Sequence, residues 1–153
     1  MSVQTNRPSE THEIGKSLWF WGPVVAYCTF IFVLSTQRDL SPPGFPSSDK
    51  VAHFLEYGVL GILWVRAAKT SWPHWSLPLL VVSTSLFTCL YGVTDEWHQF
   101  YVPGRYSDWH DALADVSGGT FGAVSYLMGL QFRLRRTSNA TPTAPSGKML
   151  NAE

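Results

Sequence analysis

Seven acids in this chain, Asp49, Glu56, Asp95, Glu96, Asp108, Asp111 and Asp115, gather at one set of ends of four hydrophobic segments. Ionisable groups in or beside lipid-length helices are expensive, and they mark places where a protein pairs charges, moves protons or binds a ligand. Lys50, His53, Gln99 and Arg105 fall among them. These residue types would serve a cation site, an acid–base pair or a pocket for a polar head group.

Helical spacing sorts the residues onto faces. At about 100° per residue, Asp49, His53 and Glu56 share a narrow stripe at the start of the second segment, with Lys50 and Tyr57 on the adjacent one. Asp49 follows Ser47 and Ser48, so it can equally cap the helix and favour its positive end. Glu56 lies about 10 Å farther along at about 1.5 Å per residue, a depth that reaches hydrocarbon. A carboxylate there must pair, take up a proton or face water inside a bundle. In the third segment Thr88, Tyr91, Asp95 and Gln99 share a face, whereas Glu96 points roughly a quarter turn away. Glu96 and His98 belong either to the cluster or to a solvated helix end.

Val102-Pro103-Gly104-Arg105 reads as a turn that returns Arg105 toward the helices. Its guanidinium suits a carboxylate or a phosphate. In the fourth segment Asp108, Asp111 and Asp115 occupy one face that continues into Gly118, Gly119 and Gly122. Such glycines let helices approach closely, within the subunit or against a second copy, so the acids are expected to point into the bundle rather than into lipid. His110 falls on the other side.

The expected polar pocket therefore comprises Asp49, Lys50, His53, Glu56, Tyr57, Asp95, Glu96, Gln99, Arg105, Asp108, Asp111 and Asp115. Zinc, manganese or magnesium could take His53, His98 and carboxylates as ligands, although there is no His-Glu-x-x-His motif and no cysteine pair. Glu56 and His53 are a candidate acid–base pair. No serine or cysteine is placed as an activated nucleophile. The alternative is a structural network in which Arg105, Lys50 and His53 neutralise the acids.

The elements that must position these residues are four apolar runs approaching bilayer length: Leu18 to Ser35, Val51 to Ala68, Leu77 to Thr94 and Ala112 to Leu130. The mean hydropathy of +0.00 averages them with polar ends. The expected fold is all-α, a polytopic four-transmembrane-helix bundle with short loops. It comprises a disordered cytoplasmic N-terminal segment (1–16), a membrane domain (17–132) and a disordered cytoplasmic tail (133–153) rich in Thr, Ser, Pro and Ala. A signal peptide over Lys16 to Ser35 is the competing reading, opposed by Pro23 and by the lack of a small-x-small cleavage site. Cys28 and Cys89 sit mid-run on different segments, as buried small hydrophobes do.

Eight of the eleven basic residues fall on the side of the termini, which places that side in the cytoplasm. The other side holds eight acids, Asp39 and the seven named above, against Arg38, Lys50 and Arg105. Its net charge of about five negative favours cations or cationic ligands. Trp19, Trp21, Trp64, Trp72, Trp75, Trp97, Trp109, Tyr101 and Tyr106 mostly flank the runs, as an interfacial belt requires.

From about Phe30 to Leu130 the chain resembles the VanZ-like family of small multi-pass membrane proteins. The resemblance rests on Phe32-x-x-Ser35-x-Gln37, Asp49-Lys50-x-x-His53-x-x-x-Tyr57-x-x-Leu60-Gly61, Asp95-Glu96-x-x-Gln99-x-x-x-Pro103-Gly104-Arg105, and Asp108 to Asp111 with Asp115 and Gly118-Gly119-x-x-Gly122. It implies a bacterial inner-membrane protein, in a family whose founding member is associated with low-level resistance to the glycopeptide teicoplanin.

Three functional readings follow. The first is a cell-envelope factor whose outward pocket binds a lipid-linked or peptidoglycan-related component. The second is a membrane-embedded hydrolase or transferase using a divalent metal. The third is a proton- or cation-coupled transporter, disfavoured by so few helices and no internal repeat. The expected partners are the lipid bilayer and that envelope component, with no nucleic acid.

Overall fold

A computed structural model describes residues 10–37, 48–105 and 108–140, and these form four helices: α1 (Glu10–Ser35), α2 (Ser48–Ser71), α3 (Leu77–Phe100) and α4 (Trp109–Ala140). No strand occurs among the described residues. Each helix grows from one of the apolar runs and extends past it. α1 passes through Pro23. α3 starts on Ser76, whose hydroxyl accepts the Leu79 N–H, with Pro78 in the first turn where no intrahelical N–H is needed. Gly104, at φ 88°, supplies the left-handed residue that reverses the chain between α3 and α4.

Two expected boundaries are corrected. Glu10 to Lys16, assigned to an unstructured N-terminal segment, are the first turns of α1, and Arg133 to Ala140, assigned to the tail, continue α4. The helices propagate because adding a residue to an existing helix is easy once the nucleus has formed. Asp39, Ser47, Tyr106 and the tail beyond Ala140 lie outside the described residues.

α2 and α4 form the closest pair, and glycine is the reason. A Cβ on Gly118 would collide with the Phe54 carbonyl, one on Gly122 with the Gly58 carbonyl, and one on Gly61 with the Gly119 backbone. Thus the glycine face of α4 packs on α2 of the same chain, backbone against backbone. α3 closes on α4 through Thr88, whose side chain fills the space beside Gly119. α1 packs chiefly on α2, where Val24 and Ile31 meet Tyr57, Leu60 and Ala67. Tyr91 ties α3 to α1 by donating its hydroxyl to the Cys28 carbonyl at 2.5 Å.

Large side chains line the outside of the bundle. Val25, Leu55, Leu86, Leu90, Phe121 and Met128 are all exposed, a pattern suited to hydrocarbon. Three stretches, Ile14–Ser35, Asp49–Ser71 and Leu77–Phe100, are long and apolar enough to cross a bilayer. α4 does not reach the same composition, so the four-span expectation is met for three helices. Asp111 and Asp115 lower its average although both are buried, at 2% and 0% exposure.

Trp19, Trp97, Trp109 and Tyr101 are exposed, in keeping with an interfacial belt. Trp21 and Trp64 instead meet edge to face within the bundle at 5.1 Å, and Trp64 stacks on Phe87 at 3.8 Å. Cys28 and Cys89 are free thiols, each half-buried.

Candidate functional site

The polar faces of α2, α3 and α4 meet at one end of the bundle. His53, Asp95, Glu96, Gln99, Asp111 and Asp115 are all buried there. His53 Nδ1 lies 2.9 Å from Asp115 Oδ1. An ionised carboxylate only accepts, so with Asp115 ionised the imidazole proton resides on Nδ1 and Nε2 is left for another partner. Tyr57, one turn deeper on α2, places its ring nearly parallel to that of His53, with centroids 6.4 Å apart.

Asp115 needs room that only glycine provides. A Cβ on Gly92 of α3 would lie 2.5 Å from Asp115 Oδ2. Gly92 is thus a site residue that the sequence reading missed. Its signal was a small residue three positions before Asp95 on the polar face of α3. Gly92→Ala is expected to destabilise the protein by about 1–3 kcal/mol through overpacking. Thermal unfolding in micelles reads this, and an unchanged Tm would contradict the cradle.

At the rim, Lys50 Nζ donates to Asp108 Oδ2 at 2.7 Å and to Asp111 Oδ1 at 3.0 Å, joining α2 to the start of α4. Lys50, together with the backbone and side chain of His110, holds the Asp108 carboxyl well below the usual carboxylate range. Asp108 therefore stays ionised at neutral pH.

On the α3 side, Arg105 Nε donates to Gln99 Oε1 at 3.2 Å, and Gln99 Nε2 donates to Asp95 Oδ2 at 2.9 Å. The guanidinium thus reaches an amide that in turn orients a carboxylate. Glu56 is half-buried, in the field of His53, Asp95, Arg105 and Asp49.

The solvated alternative for Glu96 is corrected: it is buried, and its Oε2 accepts the Asp108 N–H at 2.9 Å, satisfying a donor ahead of α4. His98 is corrected as a companion of His53. It turns toward α1, where Nδ1 lies 3.1 Å from Ser35 Oγ and the ring stacks on Phe32 at 4.2 Å.

Among the described residues, Tyr57 Oη, Asp95 Oδ1 and Asp115 Oδ2 are buried without a hydrogen-bond partner. Buried polar atoms are satisfied in nearly all folded proteins, so three such atoms at one end of a bundle call for water, protons or a bound group. Donor atoms of Asp49, His53 and Asp111 all lie within 4.8 Å of one another, the one group of metal-ligating type found among the described residues.

An apolar groove of about 460 Å³ runs along α1 beside this site, lined by Val24, Cys28, Phe32, Trp64, Phe87 and Tyr91 among others. Tyr91 links the two, with its ring 6.1 Å from that of Tyr57.

A helical bundle sheathed in apolar side chains, with three membrane-length helices and ionisable groups buried at one end, is a membrane protein by class. The chain belongs to the VanZ/LLP1 family, whose model matches residues 4–131. No curated protein and no solved structure matches it.

Proposed function

We propose that this protein is a four-span bacterial inner-membrane factor with both termini in the cytoplasm. Its buried polar site opens outward and binds a lipid-linked component of the cell envelope. The observation that carries this reading is the adjacency of the ionic site to the groove along α1. An amphiphile needs both an apolar slot for its chain and a polar cage for its head, and ligand sites combine apolar walls with a few placed polar groups. The face of α4 away from its acids carries Leu113, Phe121, Val124 and Met128, all exposed, which supports α4 as the fourth span. The positive charge near the termini supports the orientation. A role akin to that of the family's glycopeptide-resistance members, teicoplanin resistance included, would follow from binding an envelope precursor.

Catalysis on the same lipid, by a metal-dependent hydrolase or transferase, is the second reading. It is favoured by the buried His53–Asp115 pair, which orients an imidazole as acid–base and metal sites require.

Two measurements test the first reading. Native mass spectrometry of the protein released from bacterial membranes should find a polyprenyl-phosphate lipid retained above its bulk abundance. Cys28→Trp, which fills the groove, should reduce that retention severalfold. Retention of bulk phospholipids alone would sink the proposal. In a Cys28→Ala/Cys89→Ala background, Arg105→Cys should react with an impermeant thiol reagent from outside the cell, and labelling only after lysis would reverse the orientation.

A further inference from the structure

Asp49 and His53 lie four residues apart on α2, and Asp111 reaches them from α4. His53 and Asp111 are buried, whereas Asp49 is half-buried at the mouth. The set is more than a group of acids, because it contains an imidazole whose second nitrogen is already assigned. Nδ1 is committed to Asp115, so Nε2 is the ring atom left to ligate. A metal-bound histidine with its other nitrogen on a carboxylate is the usual arrangement, since the carboxylate fixes the tautomer and raises the basicity of the ligand. Lys50 engages Asp111 through Oδ1, which leaves Oδ2 for a bond to a cation.

Charge supplies an independent reason. Asp49, Asp111 and Asp115 stand around His53 and Lys50, whose ammonium is shared with Asp108, and Asp115 Oδ2 is buried without a partner. A dication on the far side of the imidazole would polarise the ring and strengthen the Nδ1–H bond to Asp115. It would thereby compensate a carboxylate that is otherwise unbalanced in a low-dielectric interior.

We infer that Asp49, His53 and Asp111 hold one divalent transition-metal ion, with Asp115 as the positioning residue that orients His53. One nitrogen and two carboxylate oxygens suit zinc or manganese. Ligand bonds of about 2.0–2.2 Å put tetrahedral ligand atoms about 3.4 Å apart, so donors within 4.8 Å of one another need side-chain rotation of at most about 1.4 Å to close on an ion. Three protein ligands leave at least one position open. That position is where an anionic oxygen of a head group could bind, and in this respect the inference rests on the proposed function and deepens it.

The test uses the full chain in detergent, purified without chelator. Elemental analysis should find about one zinc or manganese per chain. After chelation, calorimetric titration with Zn²⁺ and Mn²⁺ should show one site. His53→Ala and Asp111→Asn should weaken it a hundredfold or more, Asp115→Asn about 10–100-fold, and His74→Ala, exposed between α2 and α3, not at all. Asp49→Asn, at the half-buried helix start, guards against misfolding of the buried variants and should also weaken binding at an unchanged Tm. A folded protein that takes up no stoichiometric metal, or one whose affinity survives both His53→Ala and Asp49→Asn, overturns the inference. Retention of the polyprenyl lipid without metal would overturn this inference and leave the proposed function standing. Metal bound without lipid retention would do the reverse.

Discussion

Asp115→Ala, measured by unfolding in micelles with metal chelated, is expected to cost about 1.5–3 kcal/mol, the range for losing a buried hydrogen bond to a charged group. Asp115 is fully buried, and His53 is buried against it at 2.9 Å. Removal of the carboxylate strips the imidazole of its acceptor in a place water does not reach. His53→Ala is expected to cost a similar amount, because it leaves Asp115 with neither oxygen partnered. The double variant should lose less than the sum of the two, with a coupling of about 2 kcal/mol. Asp115→Asn keeps an acceptor and should fall between wild type and Asp115→Ala. A single-variant loss below about 1 kcal/mol would mean that the pair is solvated or unformed.

The second large effect belongs to the seam between α2 and α4. Gly118→Ala and Gly122→Ala each add a methyl group that meets a backbone carbonyl, of Phe54 and Gly58 respectively. Neither neighbour is the end of a flexible side chain, so the helices themselves must part. Overpacking typically costs about 1–3 kcal/mol, and a rigid backbone on the other side puts these variants at about 3 kcal/mol or more. Parting the helices also separates His53 from Asp115, which couples the seam to the site. Gly129→Ala is the control on the same helix. No atom lies within 4 Å of its added carbon, so the gain in helix propensity of up to about 1 kcal/mol should leave it neutral or slightly stabilised. Equal behaviour of Gly122→Ala and Gly129→Ala would remove the close-packed seam from the account.

Much of the site was legible in the chain because helical periodicity is a local property. The stripe of Asp49 and His53, the face of Thr88, Asp95 and Gln99, and the run from Asp111 to Gly122 could each be placed from spacing alone. The glycine seam was only half legible: Gly118, Gly119 and Gly122 were read, whereas their counterpart Gly58, spaced three residues before Gly61, was not. Glu96 and His98 were the ambiguous pair, and they went opposite ways. Glu96 turned in to receive the Asp108 N–H, and His98 turned out to Ser35 and Phe32. Two residues apart on a helix, they face directions separated by about 200°, and only the neighbouring helices decide which direction is interior.

The amino-acid sequence by itself determined four helices, the polar end of the bundle and the acidic excess there, because length, hydrophobic run and charge act within each segment. Tertiary structure alone decided the partners: Lys50 with Asp108 and Asp111, His53 with Asp115, Arg105 with Gln99. A helix's own period fixes which residues share a face, but not the rotation or depth at which that face meets another. Here both are set by glycines that bring the α2 and α4 backbones into contact, and that same approach hides Asp111 and Asp115, acids that lower the mean hydropathy of α4.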